Sequence, residues 1–440
     1  MYEVVRSLIG KEEIPDFYEV QYQMPYQCLE DVGATLQQEI EDRGLMERIC
    51  PGDRVAITAG SREISNIVKI LHQLVDMVKE RGAYPHIVAA MGSHGGATGQ
   101  GQRAVLSGYG IDEISMGCPV VSEMEVDFVG KTENGMEVYI DRFAAGCDKI
   151  IVVGRVKAHT DFHGKVESGL AKMIAIGLGK QRGASLCHQA GFSAMSENIL
   201  QISKVVRKNK PVAFGIAIVE DAFHNTALIR AVPSEAFEEE EPGLLEESKK
   251  LMPRIPYRKI DILIVDEIGK NFSGAGMDPN VTGRSPRLGI SSPYAERIVV
   301  LNISEQSHNA ATGIGNADVI TRRAFEGFGF DVTYANGITS NDPESIKIPA
   351  VMPADREAIQ FAMCVLMGER KQEVPRIVWI KNTSDLSRFY ITESLLEETY
   401  AGNCLKQRSG PKQVLFDAAG YVQGMVKKAE RIADDTGIFI

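Results

Sequence analysis

The sequence predicts an α/β protein made of two α/β domains, with mostly parallel sheets and an active-site cleft between the domains. Short apolar stretches of strand length alternate with stretches of helical periodicity along most of the chain, which is typical of parallel sheets. The chain has 440 residues, more than one hydrophobic core usually organises. An acidic, proline-containing stretch interrupts the alternation near the middle of the chain. These observations together indicate two domains in succession.

The first half of the chain contains stretches with the composition of buried parallel strands, each apolar on both faces. After the first of them, apolar residues from Ile64 to Val78 recur at helical spacing. Ser61 stands where the N-cap of that helix is expected. The predicted strands of this half are Arg54–Thr58, His86–Ala90, Lys149–Val153 and Val212–Val219.

The middle of the chain predicts a domain boundary. Residues 235–258 contain an acidic turn at Glu238–Gly243 and further prolines, and we interpret them as a solvated helix and a linker. The predicted domains are therefore 1–258 and 259–410. The predicted strands of the second domain are Ile262–Val265, Arg297–Leu301, Val332–Tyr334 and Ile377–Ile380.

The last segment of the chain, residues 411–440, predicts an amphipathic helix. Its apolar residues suggest helical periodicity from about Lys412 to Asp434. We expect this helix to pack back on the first domain.

The composition disfavours several classes of protein. A net charge of −11 argues against a nucleic-acid partner, because neutralising phosphates requires a basic surface. The sequence shows neither an apolar run of about 20 residues nor the pattern of a signal peptide, so no membrane association is expected. The seven cysteines are scattered and form no C-x-x-C pair, which is typical of reduced thiols. We therefore expect a cytoplasmic protein.

Two loops after predicted strands carry residues suited to anion binding and proton transfer. Ser61 and Arg62 follow the first strand, where backbone N–H groups and a guanidinium favour a phosphate or carboxylate. The alternative is a simple helix cap beside a surface arginine. His94 lies among glycines after the second strand, where an imidazole can reach a bound molecule. The alternative is a turn with a hydrogen-bonded histidine.

Histidines are concentrated after the third strand. Three of the eight histidines of the chain, His159, His163 and His188, fall within one 30-residue stretch. His159 and His163 are four residues apart and, on a helix, could bind zinc together with His188. Gly164 and the preceding strand indicate a loop instead, which disfavours this zinc site.

A long glycine-rich loop opens the second half of the chain. Residues 266–284 follow a buried strand, and a loop of this length in a compact domain is usually functional. Lys270 and Arg284 in this loop are candidates for holding a carboxylate group.

This set of residues resembles the nickel-dependent lactate racemase family. The resemblance covers nearly all of the first predicted domain and, more loosely, the second. It implies a racemase or 2-epimerase of a small 2-hydroxy acid, lactate-like or a sugar acid, and accessory proteins that make and load the cofactor. The residues that carry the resemblance are Ser61-Arg62, Gly92-Ser93-His94, Lys157-Ala158-His159, Lys172 and His188.

The resemblance implies how the cofactor would be held. Members of this family bind a nickel-pincer nucleotide, which derives from a pyridinium mononucleotide. Lys172 would carry it through a thioamide link, His188 would ligate the nickel, and Ser61 would belong to the cofactor-binding residues.

The resemblance also implies catalytic and substrate-binding residues. His94 and His159 would be the two acid/base histidines, and Arg62 would bind the substrate. The loop between His159 and the tethering lysine is longer than in lactate-specific members and contains an additional histidine, His163, so either of these two histidines could be the second base. The family's glutamine and lysine substrate pair has no clear counterpart, and the residues expected in its place are Lys270 and Asn271.

The implied chemistry accounts for these residue types. A carboxylate acidifies C2 of a 2-hydroxy acid poorly, whereas loss of a hydride from C2 leaves a planar 2-keto acid that can take the hydride back on either face. Each face then needs its own base for the hydroxyl proton, hence two histidines. A cation must hold the carboxylate in place, and a neutral imidazole is a suitable nickel ligand.

Two other functions are compatible with the sequence. A zinc-dependent hydrolase or lyase would use His94, His159 and His188. A non-catalytic ligand-binding homologue would keep the cleft without turning over a substrate. The identity of the bound metal and the modification of Lys172 distinguish the first alternative from the racemase. The oligomeric state is not predicted.

Overall fold

The computed structural model describes residues 2–189, 191–285, 289–291, 293–366, 374–401 and 404–427. The chain divides into two compact units. One contains Pro25–Met252, and the other contains Met1–Met24 together with Pro253–Ile440. This division falls between Met252 and Pro253, whereas the sequence predicts a boundary at residue 258 and places the first 24 residues with the first half of the chain.

The strands of the described residues are short to medium in length. In chain order they are β1 Phe17–Tyr22, β2 Arg54–Ala59, β3 Tyr84–Ala89, β4 Val120–Val121, β5 Val126–Lys131, β6 Glu137–Asp141, β7 Lys149–Arg155, β8 Val212–Glu220, β9 Thr226–Pro233, β10 Lys259–Ile268, β11 Arg284–Ser285, β12 Gly289–Ile290, β13 Tyr294–Ile303, β14 Val319–Thr321, β15 Ala350–Met352, β16 Ile377–Ile380, β17 Arg388–Thr392, β18 Leu405–Gln407, β19 Lys412–Phe416 and β20 Val422–Lys427.

The helices lie between the strands. In chain order they are α1 Glu3–Ile9, α2 Val32–Asp42, α3 Ile67–Glu80, α4 Gly99–Gly108, α5 Glu113–Met116, α6 Arg142–Ala145, α7 Leu170–Lys172, α8 Lys180–Gln189, α9 Met195–Asn209, α10 Phe237–Leu251, α11 Pro279–Thr282, α12 Arg322–Glu326, α13 Phe330–Ser340, α14 Asp355–Cys364 and α15 Leu396–Ala401. A π-helix, Met173–Leu178, joins α7 to the segment before α8.

The unit of residues 25–252 is built on one sheet with the order β4-β3-β2-β7-β8-β9. The strands from β4 to β8 are parallel, and β9 is antiparallel to β8. The chain runs outward from β2 to β3 and β4, and then returns to place β7 on the other side of β2. The carboxyl ends of β2 and β7 therefore form a topological switch point, which is the favoured ligand position in sheets of this kind.

Two apolar cores cover the faces of this sheet. On one face α3 buries an apolar stripe that includes Ile70, Leu74 and Val78. On the other face Ile199 and Ile202 of α9 pack with the apolar residues around α7. Because both faces are covered, the ends of the parallel strands are where polar groups reach solvent or a ligand.

The other unit contains a mixed sheet with the order β15-β14-β13-β10-β16-β17-β1-β19-β20, and β18 also pairs with β1. The strands from β15 to β16 are parallel. β1 pairs antiparallel with both β17 and β18, which explains why the first residues of the chain belong to this unit. The predicted fold class, α/β with mostly parallel sheets, is confirmed.

The predicted strand Val332–Tyr334 is wrong, because these residues lie in the helix α13. Val332 and Tyr334 are exposed on that helix, whereas Thr333 is fully buried. The Thr333 hydroxyl accepts a hydrogen bond from the backbone N–H of Ala311 at 3.0 Å. A tertiary contact thus outweighs the weak intrinsic strand preference of β-branched and aromatic residues.

The predicted helix from Lys412 to Asp434 is also wrong over the described residues, which form the antiparallel hairpin of β19 and β20. Its turn begins at Asp417, whose carboxylate accepts the backbone N–H groups of Ala419 and Tyr421, and Gly420 has a φ of 94°. Aspartate and glycine at these positions favour a turn over a helix. Residues 428–440 of the prediction lie outside the described residues.

The acidic stretch Glu238–Gly243 is helical instead of forming a turn, since it lies within α10. Three glutamates occupy the first turn of this helix, where its dipole favours negative charge. Glu241 is buried in this helix, so the segment is not wholly solvated as predicted. In the described part of the chain, no helix is long and apolar enough to cross a membrane.

Candidate active site

Ser61 connects the loops after β2 and β3. Its hydroxyl is hydrogen-bonded to Nδ1 of His94, and its backbone carbonyl accepts the Tyr109 hydroxyl at 2.9 Å. The helix after β2 begins only at Ile67, with Asn66 at its N-cap. Ser61 is therefore not the helix cap that the sequence predicts, because its side chain orients an imidazole instead.

A buried amide holds the backbone of the His94 loop. The side chain of Gln102 is fully buried, and its Nε2 donates to the carbonyl oxygens of Gly92 at 3.0 Å and His94 at 3.3 Å. The imidazole of His94 is exposed. The loop thus carries the exposed imidazole of His94 on a backbone that the Gln102 amide holds in place.

A buried ion pair supports this amide. The ammonium of Lys180 lies 3.2 Å from the carboxylate of Asp141, and both side chains are fully buried. The same ammonium donates to Gln102 Oε1 at 3.0 Å and to the Ala89 carbonyl at 2.5 Å. Burial lowers the pKa of Lys180 and raises the pKa of Asp141, and their mutual attraction opposes both shifts. Lys180 thus ties the ends of β3 and β6 to the start of α8.

His159 lies in the loop after β7, at the switch point of the sheet. Its ring stacks on Phe162 with centroids 4.4 Å apart. Burial lowers its pKa well below the ordinary value, and the positive charges of Lys172 and Lys157 lower it further. His159 is therefore neutral at pH 7. Its Nδ1 accepts the backbone N–H of Asp161 at 3.0 Å, so the ring proton lies on Nε2.

Lys172 ends the short helix α7, and its ammonium lies 5.6 Å from the centroid of the Phe162 ring. Burial lowers the pKa of this lysine to about 8; the charges of Lys157 and Arg62 contribute in the same direction, and Asp161 opposes them. A half-buried lysine with a lowered pKa is a nucleophile that is partly neutral near pH 7.

The backbone beside Lys172 is unusual. The π-helix Met173–Leu178 follows it directly, and short π-helical segments occur frequently at functional sites. A Cβ atom added to Gly60 would lie 3.4 Å from Met173 Cε, so the loop that carries Ser61 and Arg62 lies against this segment.

His188 lies in the last turn of α8 and is exposed. Its ring lies 5.8 Å from that of Phe192, centroid to centroid. Its charge is one of those that lower the pKa of His159, together with that of Lys172. The predicted residues His159, Lys172 and His188 therefore form one electrostatic cluster. Arg62 belongs to it through its effect on Lys172.

His163 pairs with a buried carboxylate. Its Nδ1 lies 3.1 Å from Oε2 of Glu167, whose side chain is fully buried, while the His163 side chain is 46% exposed. The backbone N–H of His159 donates to the same Oε2 at 2.6 Å. The ammonium of Lys249 lies 3.2 Å from Oε1 of Glu167. These contacts hold the carboxylate from both sides.

The second loop predicted to take part lies in the other unit. Lys270 and Asn271 follow β10, and Asn271 Nδ2 donates to Gln306 Oε1 at 3.1 Å. Their participation in the site of residues 25–252 stays a prediction. Arg284, the other candidate in this loop, pairs with Asp318 at 2.5 Å and donates to backbone carbonyls. It therefore has a structural role in place of the carboxylate-binding role considered for it.

Sequence reasoning missed the residues that support the site. Lys180, Gln102 and Asp141 carry no motif, and only their contacts reveal them. Glu167 had one signal, its position four residues after His163.

Comparison with known proteins finds a family match for the first part of the chain. Residues 8–199 match the family model of the lactate racemase N-terminal domain. The structure of the lactate racemase apoprotein from Thermoanaerobacterium thermosaccharolyticum is 13% identical, and the match covers 84% of this chain and 89% of that chain with a TM-score of 0.47. A comparison with curated proteins finds no match. The family match includes the loops after β2, β3 and β7 as well as Lys172 and His188. Residues 8–199 are therefore identified as a domain of the lactate racemase N-terminal type.

Proposed function

We propose that this protein is a racemase or 2-epimerase of a small 2-hydroxy acid, lactate-like or a sugar acid. The observation that carries the proposal is the half-buried Lys172, whose pKa is lowered to about 8 beside the imidazole of His159 and the guanidinium of Arg62. An amine, imidazoles and a cation are the groups that the family's chemistry requires, and here they adjoin the carboxyl ends of β2 and β7.

The residues present fit a nickel-pincer nucleotide. At a pKa of about 8, roughly one Lys172 amine in ten is neutral at pH 7 and able to form a thioamide link. The exposed imidazole of His188 is a suitable nickel ligand. Lys157 supplies positive charge for a phosphate group, and Ser61 adds a hydroxyl at the same edge of the sheet. When bound, the cofactor would supply an electrophilic carbon that takes up and returns a hydride.

The side chains of the protein would position the substrate and move its hydroxyl proton. Arg62 would hold the carboxylate so that only the groups on C2 exchange places. His94 would take the hydroxyl proton on one face of the substrate through Nε2, because its Nδ1 is engaged by Ser61. A histidine of the loop after β7 would serve the opposite face. In the second unit, Lys270 and Asn271 would contact the substrate.

The zinc alternative is less well supported. Among the residues that the structure describes, no group of three or more histidine, cysteine, aspartate or glutamate side chains is arranged to hold a metal ion. A zinc hydrolase would need at least three protein ligands. The nickel-pincer nucleotide needs one, because the pincer itself supplies the other donor atoms.

Intact mass spectrometry combined with metal analysis tests the proposal. The protein co-expressed with cofactor-making enzymes should gain one covalent nucleotide and about one nickel ion, and it should racemise or epimerise a 2-hydroxy acid. Lys172→Ala should lose the added mass, the nickel and the activity. The matched control is Lys165→Ala, an exposed lysine in the preceding loop, which should keep all three. Full turnover by Lys172→Ala would refute the proposal, and bound zinc without added mass would favour the hydrolase.

A further inference from the structure

We propose that His163, oriented by Glu167, is the second base of the site, and that His159 acts as a hydrogen-bond donor to the substrate oxygen. This inference rests on the proposed function. The two histidines are four residues apart in one loop, but the structure gives them opposite hydrogen-bonding arrangements.

The His163–Glu167 contact leaves one ring nitrogen of His163 able to accept a proton. Because a carboxylate only accepts hydrogen bonds, Nδ1 of the neutral ring carries the hydrogen in this 3.1 Å contact. The lone pair is then on Nε2, and the ring is 46% exposed, so a substrate can reach it. A carboxylate that orients a histidine base in this way also stabilises the imidazolium that forms.

The carboxylate of Glu167 is held in place. The His159 backbone N–H and the Lys249 ammonium engage its two oxygens at 2.6 and 3.2 Å. The loop itself is seated on α9: a Cβ added at Gly164 would overlap Ser196 Oγ, and that hydroxyl donates to the Val166 carbonyl at 2.8 Å. Glu167 is therefore held in a fixed position and acts as a positioning residue for the His163 ring.

His159 has the opposite arrangement. Its Nδ1 accepts the Asp161 backbone N–H at 3.0 Å, so the proton of the neutral ring lies on Nε2. In this tautomer Nε2 donates a hydrogen bond and has no lone pair for a proton. A second proton could add only at Nδ1, which already accepts the Asp161 N–H, and it would make the ring a cation. Burial and the ammonium of Lys172 disfavour that cation. A neutral imidazole that polarises a carbonyl by donating to it is an established catalytic arrangement.

The proton balance follows from these roles. When C2 of the substrate gives up its hydride to the acceptor that the proposed function supplies, the hydroxyl proton passes to Nε2 of His163, and a 2-keto acid forms. His159 donates to the keto oxygen during this step. When the hydride returns to the same face of C2, His163 gives the proton back to that oxygen. When it returns to the opposite face, the oxygen takes a proton from the imidazolium of His94, and His163 then releases its proton to solvent.

Histidine nitrogen NMR on the apoprotein tests the arrangement without the cofactor. Long-range proton–nitrogen spectra of ¹⁵N-histidine protein at about pH 8 distinguish the two neutral tautomers, and His→Gln variants assign the signals. His163 should show the Nδ1–H form and His159 the Nε2–H form. Glu167→Ala should shift His163 to the Nε2–H form. The control Glu246→Ala removes the other carboxylate that contacts Lys249 and should leave His163 unchanged. An Nε2–H signal for His163 in the unaltered protein would overturn the inference.

Single-turnover measurements on the cofactor-loaded protein separate this inference from the proposed function. His163→Gln should slow the half-reaction of one enantiomer by about 10²- to 10⁴-fold and leave that of the other intact. His159→Gln should slow both half-reactions, because both form the same keto oxygen. If His163→Gln retains both half-reactions while His159→Gln loses only one, the inference is wrong and the proposed function stands. If the loaded protein oxidises no 2-hydroxy acid, both are wrong.

Discussion

The buried pair of Lys180 and Asp141 makes a quantitative prediction about the unit of residues 25–252. Lys180→Met should lower the free energy of unfolding of this unit by about 3–5 kcal/mol, the usual cost of leaving one partner of a buried ion pair without the other. Both side chains are fully buried, 3.2 Å apart. Methionine fills most of the space of the lysine stem, so the cost comes from the broken ion pair and the lost hydrogen bonds to Gln102 and Ala89.

A double-mutant cycle isolates the electrostatic contribution. Asp141→Asn keeps an acceptor for the Ala144 backbone N–H, which the carboxylate now binds at 2.8 Å, but removes the charge. Because the double variant leaves no unpaired charge, its loss should be smaller than the sum of the single losses by about 0.5–3 kcal/mol.

Hydrogen exchange during urea unfolding measures the free energy of unfolding of residues 25–252 separately from the rest of the chain. Peptides from β2, β3 and β7 report on residues 25–252. Trp379 is the only tryptophan of the chain and belongs to the other unit, so its fluorescence gives an internal control that should not change. The prediction is refuted if Lys180→Met lowers the free energy of unfolding by less than about 1 kcal/mol. It is also refuted if the double variant loses as much free energy as the two single variants together, or more.

Two further predictions concern pH. Burial lowers the pKa of His159 below its ordinary 6.5, so the unfolded chain binds more protons and stability falls as the pH drops below about 6.5. His159→Gln should remove up to about 1.4 kcal/mol per pH unit of this dependence. The control His72→Gln, at an exposed histidine, should not remove it. Burial raises the pKa of Glu241 from 4.5 to about 7, so the folded protein binds more protons and stability falls as the pH rises through this range. Relative to the unaltered protein, Glu241→Gln should therefore gain up to about 3 kcal/mol between acidic and mildly alkaline pH, and the control Glu246→Gln should gain none. Urea unfolding across this pH range measures both, and an unaltered pH dependence in either variant would contradict the corresponding burial argument.

The sequence predicted the framework of the site well. Runs of valine, isoleucine and alanine bounded by glycine or polar residues identify β2, β3 and β7, because a strand buried on both faces admits few other residues. Parallel pairing then places the loops after these strands at one edge of the sheet. For this reason Arg62, His94 and His159 are recognisable as candidates from the sequence alone.

Elements near the ends of the chain were harder to predict. The first 24 residues join the sheet of the second half because β1 pairs with β17 and β18, which are more than 360 residues away. The hairpin of β19 and β20 completes the same sheet edge. Such pairings depend on partners that no local pattern reveals, and so residues 412–427 were predicted as a helix although they form a hairpin in this sheet.

By itself the sequence determined which chemical groups follow which strands: an arginine, histidines and a lysine in the loops and helices of a parallel sheet. Only the tertiary structure decided the state of each group. The lowered pKa of Lys172 comes from burial, and the opposite tautomers of His159 and His163 come from a backbone N–H and a carboxylate. The reason is physical, since burial and hydrogen-bond partners arise from segments that meet only in the folded chain, as when Lys249 of α10 reaches Glu167 in the loop after β7.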